Sequence, residues 1–409
     1  MKSIHTMFVV VLLVASSAIP VGTAAATQQS EAYAGTHVEF ETTSNAIVDY
    51  SVNDTTVFES VKVQSQSSAE SQGDVQAGVG LSAVTGIAGE ALSVESHEVS
   101  ATVTAESGAT MEAHDNSHGI LVVESGGESQ YVTVNVSSSS QAESENDQHV
   151  LVTTEDGTKG SFIVVGDGNV TVNDRGNVSA NLGSDGTLVF RSYSDERSED
   201  DEQKEQLISE GKATAEVYVM QAGDQGSEFA ADVVQYGNDT TVEVTQQSEG
   251  TVQMTAERSQ EQGKIIMTSV SEQAISSVED LQVTVDGEAA AEASSYSDLE
   301  STSESDTSKF LVRQESSAQA SADVLVAVNH FSERQITMQD SSSDDSGSDD
   351  NTTTGDESDG SDSGTATGEE SDGSDETNQE ATDAGGPGFG IGVTLVALIS
   401  VALYAYRRY

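Results

Sequence analysis

The sequence predicts an all-β ectodomain, sandwich-like or a β-solenoid, carrying one acidic helix. Three observations predict it. Val132, Val134 and Val136 point one way while Tyr131, Thr133 and Asn135 point the other, the period of two of a half-buried strand. Val150-Leu151-Val152 and Phe162-Ile163-Val164-Val165 are continuous apolar runs, which suits strands covered on both faces. Between such runs stand Asp156-Gly157, Asp167-Gly168, Asn173-Asp174-Arg175-Gly176 and Asp185-Gly186, and Asp-Gly supplies the positive φ angles that tight hairpins need. Strand and turn alternate about every 8–12 residues, the spacing of a sandwich, barrel or solenoid. Val-Thr-Val-Asn occurs at Val132 and again at Val170, too short a match to establish a solenoid repeat.

The elements follow in order. Lys2, the apolar stretch Met7 to Ala15 and the small residues Ala24-Ala25-Ala26 have the layout of a secretory signal peptide over residues 1–26. A first β-rich domain spans 27–194, with strand patterning from about Thr36. Val99 to Val136 has weaker turns, and Ser71 to Leu92 is Gly-rich and reads as loop. Asp195 to Glu210 is almost wholly polar, ends on Leu207 and Ile208, and is followed by Gly211. Early acids and a glycine just past the end suit a helix. Its apolar face is narrow, so it is expected as a linker or surface excursion over 195–211. A second β-rich domain spans 212–339. Its strands are expected at Ala215–Met220, Thr241–Thr245, Thr251–Ala256, Lys264–Thr268, Leu281–Val285 (turning at Asp286-Gly287), Phe310–Val312, Val324–Val328 and Gln335–Met338, with a short helix at Glu272–Asp280. Residues 340–384 are Ser, Asp, Gly, Thr and Glu with almost no apolar residue, a composition that cannot bury a core and predicts a disordered stalk. Residues 385–409 complete the chain as an anchor segment.

Composition excludes several functions. The chain has 70 Asp and Glu against 15 Lys and Arg, a formal net charge of -55, so it has no clustered cations for nucleic-acid phosphates. Such acidity could mean disorder, but 35% of residues are hydrophobic and fall in β-periodic runs. A folded protein from a halophile fits better, because the Debye length is only about 3 Å at 1 M salt. There is no Cys, which excludes disulfides, thiolate metal sites, Cys nucleophiles and an N-terminal lipoprotein linkage.

No catalytic motif stands out. G-x-S-x-G, H-E-x-x-H and the P-loop are absent. His114-Asp115-Asn116-Ser117-His118 has no metal-ligand spacing and reads as an exposed loop. Asp167-Gly168-Asn169-Val170-Thr171 starts like a calcium loop but lacks its sixth-position Gly and distal Glu. Gly78-Val79-Gly80-Leu81-Ser82-Ala83 matches G-x-G-x-x-A without any dinucleotide-binding context. Neither a metal nor a cofactor is expected. Six Asn-x-Ser/Thr sequons permit N-glycosylation on an exported chain, and Asn169, Asn177 and Asn238 beside expected turns are the candidates.

The tail carries the one legible signal. Gly385-Gly386-Pro387-Gly388-Phe389-Gly390 breaks regular structure ahead of an uncharged apolar run to Tyr406, and the chain ends Arg407-Arg408-Tyr409. The run from Phe389 is roughly 18 residues, near the lower limit for a transmembrane helix, and the arginines would stay cytoplasmic. One reading is a plain transmembrane anchor. The order of Pro387, Gly388, Phe389, Gly390, apolar helix and basic end also resembles the PGF-type sorting signal of archaeal surface proteins. The resemblance implies processing by an archaeosortase near that motif and replacement of the tail by a membrane lipid. It covers only the tail.

Together these readings describe a membrane-anchored, non-enzymatic surface protein of a haloarchaeal envelope, structural or interactive, with S-layer or other envelope proteins as partners. The competing expectation is a solute-binding protein or enzyme whose site carries no recognised motif.

Overall fold

The computed structural model describes residues 31–193, 196–221, 229–237, 239–258, 262–271, 273–276, 280–313, 322–330 and 333–340, all within one compact unit. They build four β-sheets, and none of the four closes into a barrel among the described residues. The first sheet has the order 32–34, 38–42, 47–52, 55–65, 130–136, 178–182, 168–172. The second runs 141–146, 149–153, 159–165, 187–193, 121–124, 110–114, 100–105, 92–96. The third runs 229–235, 213–221, 262–270, 322–330, 309–313, 291–292, and the fourth 240–248, 251–258, 333–340, 281–285, 288–289. The third sheet is mixed, because Ala213–Gln221 pairs in parallel with Gln262–Val270.

Three apolar layers hold the sheets together. Val61, Val132 and Val134 of the first sheet meet Val103, Met111 and Val164 of the second. Aromatic rings fill the middle of that layer: Phe58 lies edge-on to Phe190 at 5.0 Å and stacks on Tyr50 at 4.7 Å. Such pairs add about 0.5–1.5 kcal/mol beyond their area burial. Val217, Ile266 and Val326 of the third sheet meet Met254, Val283 and Ile336 of the fourth. Between these layers lies a seam where Val122, Ile163 and Val189 of the second sheet cluster with Tyr218, Ile265 and Leu325 of the third. The apolar run at Phe162 is thereby explained. Phe162 and Val164 face the first layer, Ile163 and Val165 the seam, so both faces of that strand are covered.

The expected turns hold in part. Asp286-Gly287 has φ of 54° and 79°, the two-residue hairpin that Asp-Gly favours. The hairpin between Ile47–Val52 and Thr55–Ser65 uses the same geometry at Asn53-Asp54, with φ of 50° and 66° and no glycine. Asn and Asp visit this region because their short polar side chains bond locally. At Asp167-Gly168 the positive φ belongs to Gly166 instead, and Gly168 already starts a strand.

The helices correct the sequence reading most. Helix α1 (Gln66–Gln72) was not expected. With residues 73–91 it covers the outer face of the first sheet, burying Ala69, Val75, Val84 and Ile87 near Tyr131. Helix α2 (Glu199–Ser209) starts later than expected because Ser198 caps it, with Asp201 closing a reciprocal capping box. The narrow face is no surface excursion, since Leu207 and Ile208 are fully buried in the seam. Lys204 and Glu205 are buried beside them. Helix α3 (Tyr296–Glu300) also enters the seam through Tyr296 and Leu299. Of the helix expected at Glu272–Asp280, residues 273–276 form a turn in which Ile275 N–H donates to Ser271 O, and the remainder lies largely outside the described residues. The signal peptide, the stalk beyond Asp340 and the anchor lie outside them too.

Candidate functional site: the polar seam and the sorting tail

The seam concentrates the molecule's buried charge. In the strand Thr187–Tyr193, Leu188 and Phe190 turn to the first apolar layer, so alternation turns Arg191 and Tyr193 toward the third sheet. Arg191 is wholly buried, and its Nη1 donates to Glu216 Oε2 at 3.0 Å. Glu216 also accepts the hydroxyls of Tyr218, at 2.6 Å, and Tyr236. Burial alone would raise the Glu216 pKa, but Arg191, His118 and the two hydroxyls hold it down to about 2. Burial and Glu216 together push both tyrosines well above their ordinary range.

The segment from His114 to His118 is no exposed loop. His114 Nδ1 lies 2.7 Å from Asp232 Oδ1, and Asn116 Nδ2 donates to Asp232 Oδ2 at 2.9 Å. Asp232 sits on the first strand of the third sheet, so these bonds tie the second sheet to the third. Burial pulls the His114 pKa down, yet Asp232, Glu112 and Glu216 outweigh it and the net direction is up. Asp115 points the other way. Its carboxylate accepts the backbone N–H groups of Thr36 and His37 at 2.6 Å and of Val38 at 2.8 Å. A side chain at Gly35 would strike that carboxylate at 2.4 Å, so only glycine lets the backbone close around it. His118 Nδ1 lies 2.8 Å from Ser192 O.

Helix α2 extends the network. Glu205 accepts the Tyr193 hydroxyl and the Arg197 guanidinium, and Arg197 also reaches Glu145 and Glu202, each at 3.2 Å. Lys204 contacts Asp323 on the third sheet. These charges are spent on one another, which suits docking of surfaces. At the seam's rim, Val165, Gly166, Asp185, Glu210, Tyr236 and Lys264 help line an open cleft of ≈ 660 Å³. A smaller cleft of ≈ 230 Å³ shares Glu210, Gly211 and Lys264 with it. Burial lowers the Lys264 pKa.

Arg191, Glu216, Asp232 and Lys204 carry no motif that singles them out in the sequence. A signal for Arg191 existed: it is a lone cation inside the run Leu188-Val189-Phe190-Arg191, in a chain with 15 cations in all. Nothing local pointed to its partner, which lies 25 residues away.

The glycosylation candidates fall in different places. Asn169 is half-buried on the edge strand of the first sheet, opposite Asn181. Asn177 donates its amide to Asn135 Oδ1 at 3.1 Å, and its sequon partner Ser179 is wholly buried, donating to Val84 O. Asn238 lies outside the described residues. So do Pro387, Gly388, Phe389 and Gly390. Among the described residues no helix is long and apolar enough to cross a membrane.

The tail is decided by comparison with known families. The family model described as the PGF-CTERM motif matches residues 386–409. The tail is a PGF-CTERM sorting signal. The chain is therefore an archaeosortase-processed, membrane-anchored protein of the cell surface, with an extracellular ectodomain. The PGF-CTERM match covers the anchor alone, so it says nothing of what the four sheets do. No curated protein matches the chain.

Proposed function

We propose that the ectodomain is a non-enzymatic structural or interaction element of a haloarchaeal envelope, associating with the S-layer or acting in adhesion. It is lipid-anchored after the PGF-CTERM tail is processed, stands on the acidic stalk that follows Asp340, and folds as two sandwich-like units joined by 195–211. The observation that carries this is the pairing of a surface-sorting tail with a seam whose charges neutralise each other in burial. Such a seam stiffens a stack of sheets. The acidic surface keeps it soluble in brine. Glycans on Asn169, Asn177 or Asn238 belong to the same reading.

Deletion of the gene combined with cross-linking on intact cells tests it. The expected outcome is covalent capture of envelope proteins by the ectodomain and an altered surface layer in the deletion. The rim cleft favours a second reading as a solute-binding protein. An unaltered envelope, together with thermal stabilisation of the purified ectodomain by one small solute, would select that reading.

A further inference from the structure

Lys204 and Asp323 are in direct contact with side chains only 3% and 7% exposed. Among the described ion pairs it is the one in which a lysine meets a carboxylate with both side chains less than a tenth exposed. Lys204 enters from α2, one turn before Leu207 and Ile208. Asp323 lies on the face of its strand that also carries Leu325 and Ala327 into the seam. Asp201 Oδ1 is 4.0 Å from Lys204 Nζ. The other oxygen of Asp201 accepts the Ser198 N–H and hydroxyl at 2.8 and 2.7 Å, so the capping box holds this carboxylate beside the pair. Tyr296 feels the charges of both Lys204 and Asp323, and its buried hydroxyl has no hydrogen-bond partner among the described residues. Arg313 stands opposite Asp323 across the strand pair and lies 5.2 Å from the Tyr296 ring centroid.

We propose that Lys204 and Asp323 condense into an intramolecular amide bond, with Asp201 as the proton carrier. Transfer of one proton from the Lys204 ammonium to the Asp323 carboxylate gives a neutral amine and acid. The Nζ lone pair attacks Asp323 Cγ. Asp201 takes a second proton from Nζ and returns it to the departing hydroxyl, the Cγ–O bond breaks, and one water leaves. The nitrogen keeps one hydrogen, charge balances, and no oxidant or activated co-reactant is needed. Burial favours each stage. Two charges removed from water are costly, so the neutral pair and then the amide relieve that cost. Two groups held in contact behave as if at an effective concentration of about 10⁵–10⁸ M. The product joins residues 119 apart in a chain without cysteine, tying α2 to the third sheet. A cross-link of that span limits the unfolded chain as a disulfide would.

Mass spectrometry of the full chain, purified from cells and digested under denaturing conditions, tests the bond. The expected result is a branched peptide joining the segments of Lys204 and Asp323, lighter by one water than their sum, with no tryptic cut after Lys204. Recovery of two linear peptides overturns the proposal. Lys204→Arg keeps a cation opposite Asp323 but should give only linear peptides while circular dichroism still shows the folded chain. Asp201→Asn retains an oxygen for the cap but cannot carry the proton, and should lose the branch. A branched peptide at wild-type level in that variant overturns the part assigned to Asp201.

Discussion

Arg191 Nη1 and Glu216 Oε2 lie 3.0 Å apart across the seam, with side chains 0% and 4% exposed. One belongs to the second sheet, the other to the third. Two opposite charges removed from water hold register between surfaces that apolar contact alone would let slide. The cost of a mismatch at such a pair is large, since an unpaired charge stays buried. The network around them therefore makes the seam a defined docking geometry.

Arg191→Ala should destabilise the ectodomain by about 3–5 kcal/mol, because Glu216 is left buried without its cation. Replacing both together, as Arg191→Met with Glu216→Gln, removes both charges, keeps an acceptor for the hydroxyls of Tyr218 and Tyr236, and should recover part of the loss. Denaturant unfolding in molar salt measures both. A single variant as stable as wild type would show that the seam is open to water.

Two seam groups give stability a pH optimum. The folded pKa of His114 is raised above its ordinary 6.5. Its contribution is whole below 6.5 and is lost as pH rises through the raised value. Glu216 is depressed from 4.5 to about 2, so its contribution is present above 4.5 and fades as pH falls toward 2. From these groups the melting temperature should be highest between 4.5 and 6.5 and fall on both sides. His114→Gln should flatten the alkaline side alone, and a wild-type profile level across that side would reject the assignment.

Folding should require salt. The charge of -55 has no disulfide to hold it together. Dilution from molar salt to about 0.1 M lengthens screening to roughly 10 Å and lets far more carboxylates repel. A melting temperature constant over that range would show that repulsion does not limit stability.

The tail variant Pro387→Ala, Gly388→Ala, Phe389→Ala should leave a full-length, unlipidated chain still held by its apolar helix. Wild-type surface protein should end near Pro387 and carry a lipid. Mass spectrometry of the C-terminal peptide distinguishes them, and an intact Tyr409 end on the wild-type protein would argue for a plain anchor.

The sequence by itself determined the β class, most strand positions of the second half and the mode of anchoring. Each is written locally. The valines at 132, 134 and 136 repeat with the pleat, Asp286-Gly287 sets a hairpin by its own φ preferences, and the sorting signal is read as a contiguous linear motif. Only the tertiary structure decided what the polar residues within those strands do. Glu216, His114 and Asp232 look like ordinary polar positions until the second and third sheets meet, and Arg191 stands out only as a cation without a visible partner. Helix α2 looked like an exposed linker because its apolar face is narrow, yet Lys204 and Glu205 are buried by partners on other elements. The physical reason is range: backbone propensity and side-chain alternation act within a few residues. Burial of a charge depends on a partner brought 25, 118 or 119 residues along the chain by the fold.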